Sequence, residues 1–296
     1  MRFRFRLRLY GFSDSFLTQF MPKQKAGQLV CVGTGMRMAG QLTPISKSYI
    51  ESFDVVIAAV PNIFTRRWLQ CIAKEYICLH DHYEDTKIDG KNRRDTYRRM
   101  ADTILTQVRA GKRVCAAFYG HPGIFACISH MAIADARKEG FSAHMEPGIS
   151  ALDCLVADLG IDPGNYGMQS MEATQFMIYQ RVIDPTALFI IWQIGIAGDL
   201  TLKRFDTEPA HLQIIVDKLA RTYALDHEVI LYEAATDPLE TMRADKIRLR
   251  DLPQVALKQF TTLVIPPAQA WIHDQEVLEQ LRAVSKYKDC VSPTNG

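Results

Sequence analysis

The sequence lacks the features of several common protein classes. No apolar run approaches the roughly 18 residues that span a membrane, and a net charge of +2 gives no general attraction to nucleic acid. Arginines alternate with apolar residues near the N-terminus, which interrupts the apolar core that a signal peptide needs. We therefore expect a cytoplasmic protein that binds neither membrane nor nucleic acid.

Cysteine and histidine patterns give no sign of a metal centre. The chain has seven cysteines, none in a CxxC pair and most within apolar runs, so free thiols are expected. His80, Asp81, His82 and Glu84 lie together in a predicted loop, but their spacing is poor for ligands of one ion. We predict no metal site.

Common catalytic motifs are also missing. There is no Walker A sequence, and Met38 stands where the dinucleotide fingerprint begun by Gly33 and Gly35 would need its third glycine. No G-x-S-x-G elbow surrounds Ser150, which instead fits the N-cap of a helix. The sequence therefore argues against NAD binding and serine hydrolase chemistry.

The most informative stretch is 118–125, Phe-Tyr-Gly-His-Pro-Gly-Ile-Phe. It joins an apolar run with strand character to a segment with helix character, and its glycines and proline predict a turn. Ligands of open α/β sheets bind where strands end in such turns. Tyr119 and His121 are thus candidate ligand contacts, and an ordinary turn with a buried tyrosine is the alternative.

Apolar runs alternate with helical patterns along the chain, which predicts mostly parallel sheets covered by helices. The alternation restarts near residue 142. We predict an α/β fold of two α/β domains with the ligand cleft between them. The predicted divisions are an N-terminal extension (1–27), an N-terminal domain (28–142), a C-terminal domain (143–268) and a tail (269–296).

A second candidate site combines two tyrosines and an arginine. Arg93 and Tyr97 are four residues apart at a predicted helix start, so they share a face, and Tyr83 lies in the loop before them. Two phenols and a guanidinium are suited to bind a small polar group. The alternative is a solvated basic helix end with Tyr97 in the core.

Together these segments resemble the tetrapyrrole-methylase-like (class III) S-adenosylmethionine methyltransferases. The resemblance covers about residues 28–268. It rests on the 29–35 strand and turn, the turn from Tyr119 to Gly123, Glu146-Pro147-Gly148-Ile149-Ser150-Ala151, Trp192-Gln193-Ile194-Gly195 and Val264-Ile265-Pro266-Pro267.

Within that superfamily the chain is most similar to the borosin peptide α-N-methyltransferases. The usual tetrapyrrole start loop G-x-G-P-G-D is absent, because Met36 and Arg37 follow Gly35. The residues that carry the likeness are Val32-Gly33-Thr34-Gly35, Tyr83 with Arg93-x-x-x-Tyr97, 118–123, Asp158-Leu159-Gly160-Ile161-Asp162-Pro163 and Glu172-Ala173-Thr174-Gln175-Phe176.

The resemblance implies S-adenosylmethionine as methyl donor, with S-adenosylhomocysteine as product. It implies that Tyr83 accepts the amide proton or hands it to water, and that Arg93 lowers the pKa of this phenol and helps to stabilise an imidate-like oxygen. It also implies that Tyr97 binds or polarises the carbonyl and that Tyr119 orients the amide. The residues implied to contact the cofactor are Tyr119, His121, Ile124, Phe125, Ser150, Ala151, Ala173, Gln193 and Ile194.

The resemblance also implies a peptide partner. No apolar core peptide follows Pro267, so the expected substrate is a separate precursor peptide, bound by a homodimer as a heterotetramer with two precursors. A small-molecule C- or O-methyltransferase of the same superfamily is the first alternative. A non-catalytic S-adenosylmethionine-binding protein is the second.

Overall fold

The computed structural model describes residues 25–83, 92–237 and 239–284. Most of the predicted N-terminal extension, the end of the tail and Glu84 lie outside these ranges. The chain divides into two compact units, a first unit (1–161, 199–205 and 232–244) and a second unit (162–198, 206–231 and 245–296). The domain boundary that we placed near residue 142 differs from this division and stays a prediction.

The first sheet has five strands in the order β3-β2-β4-β1-β5. All four neighbouring pairs are parallel, as the alternation of strands and helices predicts. The strands are β1 (Gln28–Gly33), β2 (Val55–Ala59), β3 (Tyr76–Cys78), β4 (Arg113–Phe118) and β5 (Ser142–Met145).

Helices connect these strands, and their ends follow local sequence signals. Asn62, Asn92 and Ser150 each cap a helix by accepting a hydrogen bond from a backbone N–H of its first turn. The helices are α1 (Pro44–Ser52), α2 (Ile63–Ile72), α3 (Arg93–Arg109), α4 (Cys127–Lys138) and α5 (Ala151–Leu159).

Both faces of the first sheet are buried. Leu29 and Cys31 of β1 belong to one apolar cluster, while Val30 belongs to the cluster on the opposite face. Successive strand residues point to opposite faces, so a doubly covered strand needs an unbroken apolar run. Each fully buried Val or Leu contributes roughly 1.5–3 kcal/mol relative to exposure.

The second sheet has the order β6-β7-β10-β8-β9. β6 and β7 are parallel, but β7 and β10 are antiparallel, so the expectation of parallel pairing holds only partly in this sheet. Its strands are β6 (Met168–Glu172), β7 (Leu188–Trp192), β8 (Glu228–Glu233), β9 (Arg243–Arg248) and β10 (Thr262–Ile265).

The second unit has an apolar core of its own. Phe176 of α6 (Ala173–Ile178) packs edge-on against Phe189 of β7, with ring centroids 5.5 Å apart. Ile215 and Leu219 of α7 (Pro209–Leu219) complete the same cluster. A further helix, α8 (Gln275–Val284), has no buried residue. No helix among the described residues is long and apolar enough to cross a membrane.

The carboxyl ends of β1, β4 and β5 meet backbone to backbone. A Cβ atom added at Gly33 would lie 2.4 Å from the Gly120 carbonyl oxygen and 2.8 Å from the Gly148 Cα. A Cβ at Gly148 would lie 2.6 Å from the same oxygen. Only glycine permits this approach, so we call Gly33, Gly120 and Gly148 the glycine junction.

Replacing Gly33 by alanine should disrupt the junction. We expect Gly33→Ala to lower the free energy of unfolding by about 1–3 kcal/mol, because the new methyl group meets backbone rather than a movable side chain. Gly40→Ala is the matched control, since its Cβ would meet only the Met38 carbonyl oxygen, at 3.8 Å. Denaturant unfolding followed by circular dichroism would contradict the prediction if the two variants were equally stable.

Candidate active site

The turn after β4 presents an apolar surface above the glycine junction. Gly35 and Gly120 exchange backbone hydrogen bonds of 3.2 and 2.8 Å, and Gly120 has a φ of +66°. Tyr119 is 48% exposed and Phe125 is 52% exposed, and Ile124 is exposed beside them. Phe125 also has a φ of +50°, which is uncommon for a bulky residue. The turn is thus held with its apolar side chains turned to solvent.

His121 stabilises the turn through a hydrogen bond inside it. Its Nδ1 accepts a hydrogen bond of 2.9 Å from the Gly123 backbone N–H, so the neutral ring carries its proton on Nε2. The Nε2 of His130 lies 2.9 Å from the Gly123 carbonyl oxygen, and the Ser129 hydroxyl donates to the Pro122 carbonyl oxygen. The histidine and proline of the motif therefore fix the backbone that carries Tyr119.

Tyr83 and Tyr97 form a hydrogen-bonded pair in the first unit. The hydroxyl groups of Tyr83 and Tyr97 share a hydrogen bond, and the rings meet edge to face with centroids 6.4 Å apart. Burial raises the pKa of Tyr83 well above its usual range, and its interactions with Tyr97 raise it further. With its pKa raised in this way, Tyr83 is a neutral phenol near neutral pH.

Tyr119 and Cys127 lie near the tyrosine pair, and we call these four residues the phenol cluster. Burial of the hydroxyl raises the pKa of Tyr119, and electrostatic interaction with Tyr97 raises it further. The thiol of Cys127, the first residue of α4, acts electrostatically on Tyr83 and Tyr97. Sequence reasoning missed Cys127, because its only signal was its place near the start of the helix that follows the 118–125 turn.

Arg93 is buried beside this cluster. It is 7% exposed, although it is the first residue of α3, and its backbone N–H donates a 2.8 Å hydrogen bond to the Leu202 carbonyl oxygen. Its Nη2 lies 3.9 Å from an oxygen of Asp199, and its guanidinium carbon lies 5.4 Å from the centroid of the Phe205 ring. The solvated helix end considered as an alternative is therefore wrong for Arg93.

The charge of Arg93 acts on Tyr97. Burial raises the pKa of Tyr97, and Arg93 and the hydrogen bond shared with Tyr83 oppose part of that rise. The resemblance implies this effect on Tyr83 instead. In the structure the groups acting on Tyr83, which are Tyr97, Tyr119 and Cys127, all raise its pKa. Of the two paired phenols, Tyr97 is the one whose ionised form Arg93 helps to stabilise.

Ser150 lies in the turn between β5 and α5 of the first unit. Its hydroxyl accepts from the Asp153 backbone N–H, while the Asp153 carboxylate accepts from the Ser150 backbone N–H at 2.6 Å, which forms a capping box. The predicted N-cap is confirmed. Ala151 follows as the first residue of α5 and is half-buried.

The remaining predicted cofactor contacts belong to the second unit. Ala173 and Ile194 are fully buried in its apolar core. Gln193 follows β7 with a φ of +60°, which turns the chain sharply at the strand end. Their grouping with the residues of the first unit around one cofactor stays a prediction.

The described residues contain no group of three His, Cys, Asp or Glu side chains placed to hold a metal ion. His82 uses its Nε2 in a 3.0 Å contact with the Thr103 hydroxyl. The six cysteines that the structure describes are free thiols, as their spacing predicts.

Comparison with known proteins identifies both the fold and the relatives. A family model described as Tetrapyrrole (Corrin/Porphyrin) Methylases matches residues 28–250. The methyltransferase/ribosomally synthesized cyclic peptide gymnopeptides precursor of Gymnopus fusipes is 36% identical over 273 residues, which are 90% of this chain and 64% of that protein. The type I borosin cyclic peptide precursor methyltransferase of Mycena rosella is 38% identical, over 83% of this chain and 62% of its own length.

Solved structures support the fold. Uroporphyrin-III-C-methyltransferase from Thermus thermophilus has a TM-score of 0.57 and 17% identity, over 82% of this chain and 93% of that chain. Cobalt precorrin-4 methyltransferase has a TM-score of 0.58 and 14% identity, over 83% of this chain and 98% of that chain. The predicted fold class and the resemblance to borosin methyltransferases are confirmed. This chain spans 64% or less of the first curated relatives that it matches.

The effect of Arg93 on Tyr97 can be measured directly. We expect Arg93→Met to raise the pKa of Tyr97 by roughly one unit, because removing a nearby cation disfavours the phenolate. Arg93→Lys keeps the charge and should shift the pKa less. Titration of 13Cζ-labelled tyrosine by NMR, with the Tyr97 signal assigned from Tyr97→Phe, would contradict the prediction if both Arg93 variants titrated alike.

Proposed function

Because the chain belongs to the tetrapyrrole (corrin/porphyrin) methylase family, we propose that it transfers methyl groups from S-adenosylmethionine to backbone amide nitrogens of a ribosomally made precursor peptide. The observation that carries this proposal is the pairing of Tyr83 with Tyr97 beside the buried Arg93. The printed names of its relatives, which join methyltransferase and peptide precursor, support a peptide substrate.

Amide N-methylation makes specific demands on the protein. The lone pair of the nitrogen is delocalised into the carbonyl, so the nitrogen is a poor nucleophile. A catalyst must therefore remove the N–H proton, stabilise negative charge on the carbonyl oxygen and hold the nitrogen in line with the methyl group. Hydrogen-bonding phenols and a buried cation meet the first two demands.

The first unit offers features that fit S-adenosylmethionine. The glycine junction fixes the turn after β4, and Tyr119, Ile124 and Phe125 present apolar surface beside it. Bound there, the cofactor would supply a methyl group on a positively charged sulfonium. The Thermus thermophilus methyltransferase that shares this fold has been solved with S-adenosylhomocysteine.

We assign the proton path from the hydrogen bond between the two phenols and from the effect of Arg93 on Tyr97. Tyr83 accepts the amide proton while it passes its own hydroxyl proton to the phenolate of Tyr97, which Arg93 favours. The amide N–H bond breaks as the N–CH3 bond forms, and the S–CH3 bond of a bound methyl donor would break in the same step, with S-adenosylhomocysteine as the leaving group. The proton held by Tyr97 is then lost to water, which restores the pair.

The other residues position and polarise the amide. Arg93 stabilises the charge that develops on the carbonyl oxygen, and Tyr119 orients the amide beside the methyl donor. Correct orientation of reactants is worth on the order of 7–11 kcal/mol. We retain the predictions that the precursor is a separate chain and that a homodimer binds two of them.

Mass spectrometry of a peptide substrate tests the proposed function. The probes are any short peptide encoded beside this gene and the precursor segment of the Gymnopus fusipes relative, each supplied as a separate chain with S-adenosylmethionine. We expect successive one-methyl mass steps that fragmentation places on backbone nitrogens. Unmodified peptides, with the protein still binding S-adenosylmethionine, would favour a small-molecule methyltransferase or a non-catalytic binding protein.

Variants of the tyrosine pair test the mechanism. We expect Tyr83→Phe to lower kcat by about 10²–10⁴-fold, because the general base is lost. Arg93→Ala should abolish methyl transfer, while both variants keep the wild-type Kd for S-adenosylmethionine in calorimetry. Tyr49→Phe is the matched control, since its hydroxyl contacts only His144, at 3.5 Å, among the hydrogen bonds described. Full activity of Tyr83→Phe would remove that residue as the base.

A further inference from the structure

We propose that Asp199 is a positioning residue for Arg93, and that the segment from Asp199 to Phe205, here called the arginine loop, fixes the guanidinium beside the tyrosine pair. This inference rests on the proposed function, because it gives a role to residues around the proposed catalytic arginine. It is carried by two independent sets of contacts, one polar and one aromatic, that the loop makes in the first unit.

The carboxylate of Asp199 organises the arginine loop. One oxygen accepts hydrogen bonds from the backbone N–H and hydroxyl of Thr201, at 2.9 and 2.6 Å, and the other accepts from the Arg204 backbone N–H at 2.8 Å. Burial alone would raise the pKa of Asp199, but these hydrogen bonds and the charge of Arg93 lower it. The loop therefore holds a buried anion.

That anion faces Arg93. The Asp199 oxygen that accepts from Arg204 is also the one 3.9 Å from Arg93 Nη2, and the side chains of Asp199 and Arg93 are only 4% and 9% exposed. At this distance the pair attracts without a tight bidentate contact. Removing one member of a buried ion pair is destabilising, because it leaves the charge of the other less compensated.

The loop backbone holds α3 as well. Leu202 has a φ of +58°, a left-handed conformation that costs free energy for a residue other than glycine. In this conformation its carbonyl oxygen accepts the 2.8 Å hydrogen bond from the Arg93 backbone N–H. The position of the arginine backbone and the position of its side chain are thus set by the same seven residues, 199–205.

Phe205 links the arginine to the tyrosine pair. Its ring lies 5.4 Å from the Arg93 guanidinium carbon and meets the Tyr83 ring edge to face, with centroids 5.8 Å apart. A cation over an aromatic face is attracted to the ring electrons. Displacing Phe205 would therefore disturb Arg93 and Tyr83 together.

The charge of Asp199 should also be sensed by Tyr97. The groups around this phenol are Arg93, Tyr83, Tyr119 and Cys127, and Arg93 is the only one of these that carries a positive charge. Asp199 offsets part of the field of Arg93. Removing the negative charge should let Arg93 favour the Tyr97 phenolate more strongly.

Two variants separate the charge of Asp199 from its structural role. Asp199→Asn removes the charge and at least one hydrogen bond of the loop. Thr201→Val removes the 2.6 Å hydrogen bond to the same carboxylate but keeps the charge. The readouts are the pH profile of kcat on the methylated peptide and the 13Cζ tyrosine NMR titration of Tyr97, which needs no turnover.

We expect Asp199→Asn to move the Tyr97 titration, and with it the inflection of the kcat profile, to lower pH by roughly one unit. Its kcat should fall about tenfold or more because the guanidinium is no longer held. Thr201→Val should keep the wild-type inflection. Equal inflections in the two variants would overturn the positioning role and leave Asp199 as a structural residue.

A third variant covers the case in which Asp199→Asn does not fold, as judged by circular dichroism. Phe205→Leu keeps apolar volume but removes the ring over Arg93, and should lower kcat with an unchanged Kd for S-adenosylmethionine. Wild-type kcat in this variant would overturn the proposal. If wild-type protein methylates no peptide, the proposed function fails, while the Tyr97 titration still decides whether Asp199 acts through Arg93.

Discussion

The backbone contact among Gly33, Gly120 and Gly148 is the constraint on which the first unit depends. Three strands of a parallel sheet end at the same edge, and their turns can approach only where side chains are missing. The contact fixes the turn after β4, since Gly120 bonds to Gly35 in both directions. The backbone of Tyr119, next to Gly120, is therefore held in place, which suits a residue that we propose to contact a ligand.

A second constraint acts on the helix that carries Arg93. The arginine loop comes from far along the chain, between β7 and α7, yet its contacts belong to the first unit. It supplies an anion, a backbone acceptor and an aromatic ring to one residue. A buried arginine is costly unless such partners are present. The burial of Arg93 is thus a result of long-range packing and not of the local helix signal.

This difference explains what the sequence could predict. The apolar run of β1, the cap at Ser150 and the turn around Gly120 are local patterns, and each can be predicted from neighbouring residues. The helical spacing of Arg93 and Tyr97 also predicts that they share a face. Nothing near Arg93 indicates that Asp199 and Phe205 surround it, because contacts between distant segments leave no periodic signal. The hydrogen bond between Tyr83 and Tyr97 is hidden from the sequence for the same reason.

The contact between the two phenols decides how a buried phenol can act as a base. Burial raises the pKa of Tyr83, so direct ionisation near neutral pH is unfavourable. Burial also raises the pKa of Tyr97, but Arg93 opposes that rise, so a negative charge on the pair is stabilised by Arg93 at Tyr97. Accepting a proton at one oxygen while releasing another along an existing hydrogen bond avoids forming a free Tyr83 anion. The pair therefore places its charge next to Arg93, and the phenol that accepts the amide proton stays neutral before and after the transfer.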